Sequence, residues 1–297
     1  MKILLFGKGG QVGWELQRSL APLGEVVAMG TAEADFEQPE ELSALVRRTA
    51  PDVIVNAAAY TAVDKAESEA ARAYLINTEA VGALAEETAR LGGWLIHYST
   101  DYVFNGEKPD PYQEDDLPGP LSVYGKSKLA GEELIRKSGA QHLIFRTSWV
   151  FAARGGNFAK TMLKLARERD ELRVVADQYG APTSAELIAD VSALALHRVS
   201  KASGSDNDFS GTYHLAAAGV TSWHGYASFI LEVARSRGID LRVKPEQVQA
   251  IPASAYPVPA PRPRNSQLNT ARLRDTFGVY LPDWRYHVRR MMDEITL

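Results

Sequence analysis

The sequence contains no cysteine. That excludes disulfides, thiol nucleophiles, Cys-ligated zinc and iron–sulfur clusters. Its six histidines are scattered, with no HExxH or comparable ligand spacing. No apolar run approaches the ~18 residues of a membrane span. The run ending at Phe6 is too brief for a secretory leader. Basic charge is not in excess either: 33 Lys and Arg face 37 Asp and Glu, for a formal charge of −4. Nucleic acid is therefore not an expected partner, nor is a membrane, and a soluble cytoplasmic protein is expected. There is no internal repeat. What is present is ordinary globular composition, 45% hydrophobic and 24% charged over 297 residues. That length suits one large domain or two modest ones.

The first half alternates short apolar runs with helical patterns. Strands are expected at Lys2–Phe6, Glu25–Met29, Asp52–Asn56, Trp94–Ser99 and His142–Arg146. Helices are expected at Gln11–Leu20, Glu40–Arg48 and Ser68–Leu91, and from the N-cap Ser122 to about Arg136. Such alternation means right-handed βαβ units and a parallel sheet covered on both faces. The fold class is α/β: a Rossmann-like doubly wound parallel sheet with a smaller α/β C-terminal substrate domain. Residues 1–150 form the dinucleotide-binding domain, completed in part by segments within about 172–216. The remainder of 151–297 mainly binds substrate. Helices are expected at Asn157–Arg167, Glu186–Arg198, Trp223–Arg237 and Trp284–Ile295, and a strand at Thr212–Leu215. Ser200–Gly211 reads as a loop. Ile251–Arg264 carries five prolines and is expected to be extended and irregular.

In such sheets ligands bind at the carboxyl ends of the strands. There the sequence places Gly7-Lys8-Gly9-Gly10-Gln11-Val12-Gly13, between a strand and a helix. Gly7, Gly10 and Gly13 permit a tight turn, backbone approach to a pyrophosphate and close helix packing. The third strand ends in Asn56-Ala57-Ala58-Ala59-Tyr60-Thr61, where small side chains let a cofactor lie against backbone. After the second strand neither Gly30 nor Thr31 is acidic and no Arg is near. Asp35 and Phe36 are candidates to flank an adenine, and the cofactor's 2′ position stays open.

Tyr124 and Lys128 lie four apart at the start of a helix, on one face. A cation at ~4 Å supplies roughly the 4 kcal/mol that would bring a tyrosine from ~10 towards ~7. The pair therefore reads as a general acid/base. Gly125-Lys126-Ser127 is not a P-loop, because position 120 is Pro and no strand precedes it. In Ser99-Thr100-Asp101 a hydroxyl can donate to a substrate carbonyl oxygen. Asn77, on the inward stripe of its helix, needs buried partners and reads as a support for the strand ends.

The glycine-rich turn, Asn-Ala-Ala-Ala-Tyr-Thr-x-Val-Asp at 56–64, Ser-Thr-Asp-Tyr-Val-Phe at 99–104, Tyr124 with Lys128, and Pro-Arg-Pro-Arg-Asn-Ser at 261–266 together resemble the extended short-chain dehydrogenases/reductases. More narrowly they resemble the dTDP-4-dehydrorhamnose reductase family. The resemblance covers nearly the whole chain. It implies reduction of a 4-keto-6-deoxy sugar nucleotide by NADPH or NADH. It implies that Tyr124 is the proton donor, that Lys128 tunes it and holds the nicotinamide ribose, and that Thr100 orients the keto oxygen. Asp101, Trp149 and Asn157 would contact the dTDP-sugar. Gly10, Gln11, Val12, Ala59, Tyr60 and Thr61 would line the cofactor. Some members of the family use Mg²⁺ at a dimer contact. Glu15 would be its candidate ligand here, although it also reads as a solvated helix acid, and the exposed face of the C-terminal helix is a candidate surface for a homodimer.

Two other readings stand beside this one. A sugar-nucleotide epimerase/reductase of the same fold would need further acid/base groups, and none is evident. A non-catalytic nucleotide-binding regulatory subunit would bind cofactor without turnover, and the presence of both Tyr124 and Lys128 argues against it.

Overall fold

The computed structural model describes residues 1–201 and 209–295. Most of the Ser200–Gly211 segment expected to be a loop therefore lies outside the described residues. One parallel sheet contains β1 (Lys2–Phe6), β2 (Glu25–Met29), β3 (Val53–Asn56), β4 (Trp94–Thr100), β5 (Gln141–Thr147) and β6 (Gly211–His214). Their order is 6-5-4-3-1-2. Successive side chains point to opposite faces, and both faces are buried. Ile3, Leu5, Val53, Val55, Ile96, Leu143 and Phe145 enter one core. Leu4, Phe6, Ile54, Leu95 and Ile144 enter the other. This double burial is why the strands read as continuous apolar runs. Truncating one of these residues, as in Leu5→Ala, is expected to cost about 2–5 kcal/mol.

Helices α1 (Gln11–Leu20), α2 (Pro39–Thr49), α3 (Ala80–Leu91), α4 (Val123–Ser138), α5 (Phe158–Glu168), α6 (Ala185–Lys201), α7 (Trp223–Ser236) and α8 (Trp284–Glu294) surround it. α1 packs against α6 on the first face, and α2, α3 and α4 cover the second. The single helix expected over Ser68–Leu91 is broken. It begins as Ala70–Tyr74, widens into a π turn at Leu75–Glu79 and resumes as α3. The wide turn presses the backbone of Asn77 against α4, where a Cβ on Gly131 would lie 2.2 Å from Asn77 O.

Among the described residues of the second half only β6 joins the large sheet. Leu172–Val175 pairs with Val248–Ile251, Tyr179–Gly180 with Thr221–Ser222, and Val150–Phe151 with Thr183–Ser184. α8 is amphipathic as expected, burying Trp284, Val288, Met291 and Met292. No described helix is long and apolar enough to cross a membrane. The chain reverses direction across the sheet between β1 and β3. The crevice outside their carboxyl ends is where ligands bind in such sheets.

Candidate active site

A cavity of about 690 Å³ opens at that crevice, a size ordinary for a small-molecule site. One end is built of backbone. Gly7 has φ +84°, and a Cβ there would lie 2.6 Å from the Ala57 carbonyl carbon. A Cβ on Gly13 would meet Gly7 O at 2.0 Å, so α1 meets the turn after β1 backbone to backbone. Gly10 caps α1 without any side-chain bond. The first N–H groups of α1 therefore face the cavity uncapped, an anion site in waiting. Gly7, Gly10, Gln11, Val12, Ala58, Ala59 and Thr61 all line this end.

At the end of β2 the backbone turns back on itself, with Glu33 N–H and Ala34 N–H both donating to Gly30 O. The turn brings Glu33 Oε2 to 2.8 Å from Gly30 N, and Lys8 of the glycine-rich turn pairs with Glu33 Oε1 at 2.6 Å. The Lys8 hydrogen bond holds the Glu33 carboxyl below its ordinary range. An acid absent from positions 30 and 31 is thus present at the same turn, folded back from 33. Phe36 instead packs edge-on against Phe6 in the core, and exposed Asp35 accepts from Glu37 N–H.

The other end is built of side chains. Ser122 caps α4 by accepting from Gly125 N–H. Gly125 lets the helix approach so closely that a Cβ would lie 2.2 Å from Tyr102 O. Tyr124 and Lys128 reach the cavity from this helix, and Thr100 and Asp101 reach it from the end of β4. Asn77 accepts from Tyr60 N–H at 2.9 Å and donates to Tyr60 O and to Ser127 Oγ at 3.1 and 3.0 Å. Ser127 in turn donates to Tyr124 O at 2.9 Å. One buried amide thereby ties the Ala59–Thr61 wall to the helix that carries the tyrosine.

Burial drives the electrostatics. Desolvation pushes the Tyr124 hydroxyl up to about 12, against a partial offset from the Thr100 hydroxyl. This corrects the expectation that Lys128 tunes it downward. Lys128 is fully buried and donates to Tyr98 O at 2.6 Å, and its own pKa falls to about 8 through desolvation. Asp101 is raised to about 6 by burial, partly offset by the Ser266 and Thr100 hydroxyls. The Thr100 hydroxyl donates to Asp101 Oδ1 at 3.0 Å rather than pointing free into the cavity. Glu132, equally buried, goes the other way: Arg146 grips it at 2.9 and 2.7 Å and holds it below its ordinary value despite desolvation. Thr147 Oγ1 stands buried in the wall with no hydrogen-bond partner among the described residues.

Trp149 lines the cavity in a left-handed conformation, φ +47°, and stacks on Trp223 of α7 with ring centroids 3.6 Å apart. Gly180 makes room for it, since a Cβ there would lie 2.8 Å from Trp149 Cε2. Asn157 does not line the cavity. It caps α5, accepting from Lys160 N–H and donating to Ala152 O and to Gln11 Oε1. Tyr60 turns its hydroxyl to Glu69. Glu15 pairs with Arg18 at 3.5 Å, and no group of three or more His, Asp or Glu able to hold a metal occurs among the described residues. Residue-type reasoning missed Glu33, His97, Glu132 and Trp223. The available signals were a histidine inside an apolar strand and an acid one turn beyond Lys128.

Comparison with known proteins agrees with this geometry. The family model described as RmlD substrate binding domain matches residues 1–297. The chain is similar to the dTDP-4-dehydrorhamnose reductase of Shigella flexneri, 52% identical over 99% of this chain and 98% of that one. It is similar to that of Burkholderia thailandensis, 53% identical over 97% of each. Among solved structures it is similar to the dTDP-4-dehydrorhamnose reductase of Bacillus anthracis in complex with NADP, with TM-score 0.87, 31% identity and 99% of both chains covered.

Proposed function

This chain belongs to the dTDP-4-dehydrorhamnose reductase family, and we propose the residue roles by which it carries out that family's reaction. The protein is an NAD(P)H-dependent oxidoreductase that reduces the 4-keto group of dTDP-4-dehydro-L-rhamnose to give dTDP-L-rhamnose. The observation that carries the residue roles is the joining, in one cavity, of an uncapped helix N-terminus with a half-buried tyrosine whose hydroxyl is desolvated.

The glycine-rich turn fits a dinucleotide: Gly9 has open space where a Cβ would stand, and α1 presents its N–H groups to a pyrophosphate. Gly7, Gly10, Gln11, Val12, Ala58, Ala59 and Thr61 hold it. When bound, the reduced nicotinamide supplies the hydride. Tyr124, kept protonated by burial, gives its proton to the oxygen that becomes the 4-hydroxyl. Lys128 orients the cofactor ribose and returns charge to Tyr124. Thr100 turns from Asp101 to the keto oxygen, and Asp101 and Trp149 hold the sugar nucleotide. Asn157 acts indirectly, tying the substrate loop to Gln11. Residues 1–150 with β6 make the cofactor domain, and the rest of the second half mainly closes over the sugar nucleotide. Lys8 and Glu33 face the adenosine ribose, Lys8 attracting a 2′-phosphate and Glu33 accepting from a ribose diol, so both NADPH and NADH are used.

The test is consumption of each reduced cofactor with dTDP-6-deoxy-L-lyxo-4-hexulose, with and without EDTA. Sugar-dependent turnover is expected with both cofactors. Cofactor binding without turnover would favour a regulatory subunit, and loss of turnover in EDTA would bring Mg²⁺ into the mechanism.

A further inference from the structure

Behind Lys128 runs a chain of polar groups, Asn56 and His97, to which the mechanism above gives no role. Ala58 N–H, a donor that cannot be otherwise, points at Asn56 Oδ1 at 3.0 Å. The Asn56 amide is thereby oriented, and its Nδ2 faces His97 Nδ1 at 3.2 Å. An amide NH₂ only donates, so Nδ1 must accept. A neutral imidazole carries one proton, which then sits on Nε2. Nε2 faces Lys128 Nζ at 3.1 Å. An ammonium there sets donor against donor, whereas an amine accepts the N–H. Rotating the Asn56 amide does not resolve the conflict, because it would turn the NH₂ against Ala58 N–H.

We propose that Asn56 and His97 are positioning residues that polarise this chain towards the neutral amine of Lys128, making its ammonium a ready proton donor. Asn56, His97 and Lys128 are all buried, which makes a donor facing a donor costly. A second proton on His97 is no escape, since burial and the Lys128 charge hold the ring well below its ordinary pKa. The amine still donates to Tyr98 O. On its own helix Lys128 is flanked by Tyr124 and Glu132, one turn to either side. Glu132 draws its proton affinity up, but Glu132 is gripped by Arg146 and Arg136. His97 faces Lys128 from β4, and β3 offers only the neutral Asn56.

The proton balance follows. Tyr124 O–H breaks as the new hydroxyl forms, leaving a phenolate. A Lys128 N–H bond then breaks as that proton passes to the phenolate. Nζ keeps the electron pair, and His97 Nε2–H donates to it. Solvent afterwards restores the ammonium.

This inference rests on the roles proposed for Tyr124 and Lys128, but its first test does not require turnover. Long-range ¹H–¹⁵N NMR of the full-length wild type, with His97→Gln for assignment, reads the tautomer. Above the pH of about 8 where Lys128 discharges, the Nε2–H form of His97 is expected. An Nδ1–H form throughout would overturn the proposal. The second test is the pH profile of turnover in Asn56→Asp. A carboxylate accepts from both Ala58 N–H and His97 Nδ1–H, which reverses the chain and lets Nε2 accept from an ammonium. The basic limb should move up by about one pH unit or more, and an unmoved limb in a variant that binds cofactor overturns the proposal. If that variant does not fold, the tautomer alone decides. An Nε2–H tautomer in an enzyme inert towards the sugar would leave the network standing and remove the substrate reading.

Discussion

The two ends of the cavity are made of different material. The cofactor end is backbone and hydrogen atoms: Gly7, Gly10, Gly13 and three alanines, with function residing in N–H groups and empty space. The tyrosine end is a set of side chains, half-buried Tyr124 among buried Asn56, His97, Thr100, Asp101, Lys128, Glu132 and Arg146, with function residing in hydrogen bonds and in the desolvation of Asp101, Tyr124 and Lys128. The difference teaches what kind of damage each end registers. Steric change should strike the first without altering pH dependence. Removal of the tyrosine's single oxygen should strike the second without altering cofactor affinity.

The largest expected effect tests the second end. Tyr124→Phe removes one oxygen, and turnover should fall by about 10²–10⁴-fold. Cofactor affinity, read by fluorescence titration, should stay within about twofold; a parallel loss of affinity would merge the two ends into one. Gly10→Val is the counterpart at the first end. A branched side chain over the α1 terminus should displace a pyrophosphate from two or more N–H donors. At about 1.5 kcal/mol or more each, that is a loss of about a hundredfold in affinity. The pH dependence of residual turnover should be that of the wild type.

Asp101→Asn asks how much stability the tyrosine end gives up for its charge. The folded carboxyl titrates at about 6 against an ordinary value of 3.8. A raised acid favours the folded state only when protonated, so its penalty is full above pH 6 and fades as pH falls towards 4. The variant should be more stable by at most about 3 kcal/mol at neutral pH, and the gain should vanish near pH 4. Denaturant unfolding at both pH values checks this, and a constant difference would mean that the carboxylate is not penalised by burial.

The smallest effect belongs to the rim of the first end. Lys8→Met should raise KM for NADPH about tenfold, the worth of one charge-assisted contact. KM for NADH should change by less than about twofold. Equal changes would show that Lys8 merely holds Glu33.

The same contrast explains what was legible in the sequence. The strands, the glycine-rich turn and the Tyr124–Lys128 pair are local patterns, readable because their parts are adjacent or one helical turn apart. The tyrosine end is otherwise assembled across long separations: Asn56 meets His97 41 residues away, and His97 meets Lys128 31 residues on. No local period marks such partners. Glu33 hid for a smaller reason, a turn that folds it back onto Gly30. The sign of the Tyr124 shift was misread because proximity to a cation was weighed without the desolvation of a buried phenol. The π turn was unreadable because it answers to packing against Gly131, not to propensity.

The stacked indoles of Trp149 and Trp223 join the end of the large sheet to the second half of the chain, one indole from each. Two indole transitions held at this range couple as an exciton, so the enzyme carries its own optical ruler. With Trp149 holding the sugar nucleotide as proposed, binding is expected to alter that coupling. The near-ultraviolet circular dichroism of the unlabelled protein then reports how the two halves settle around a ligand.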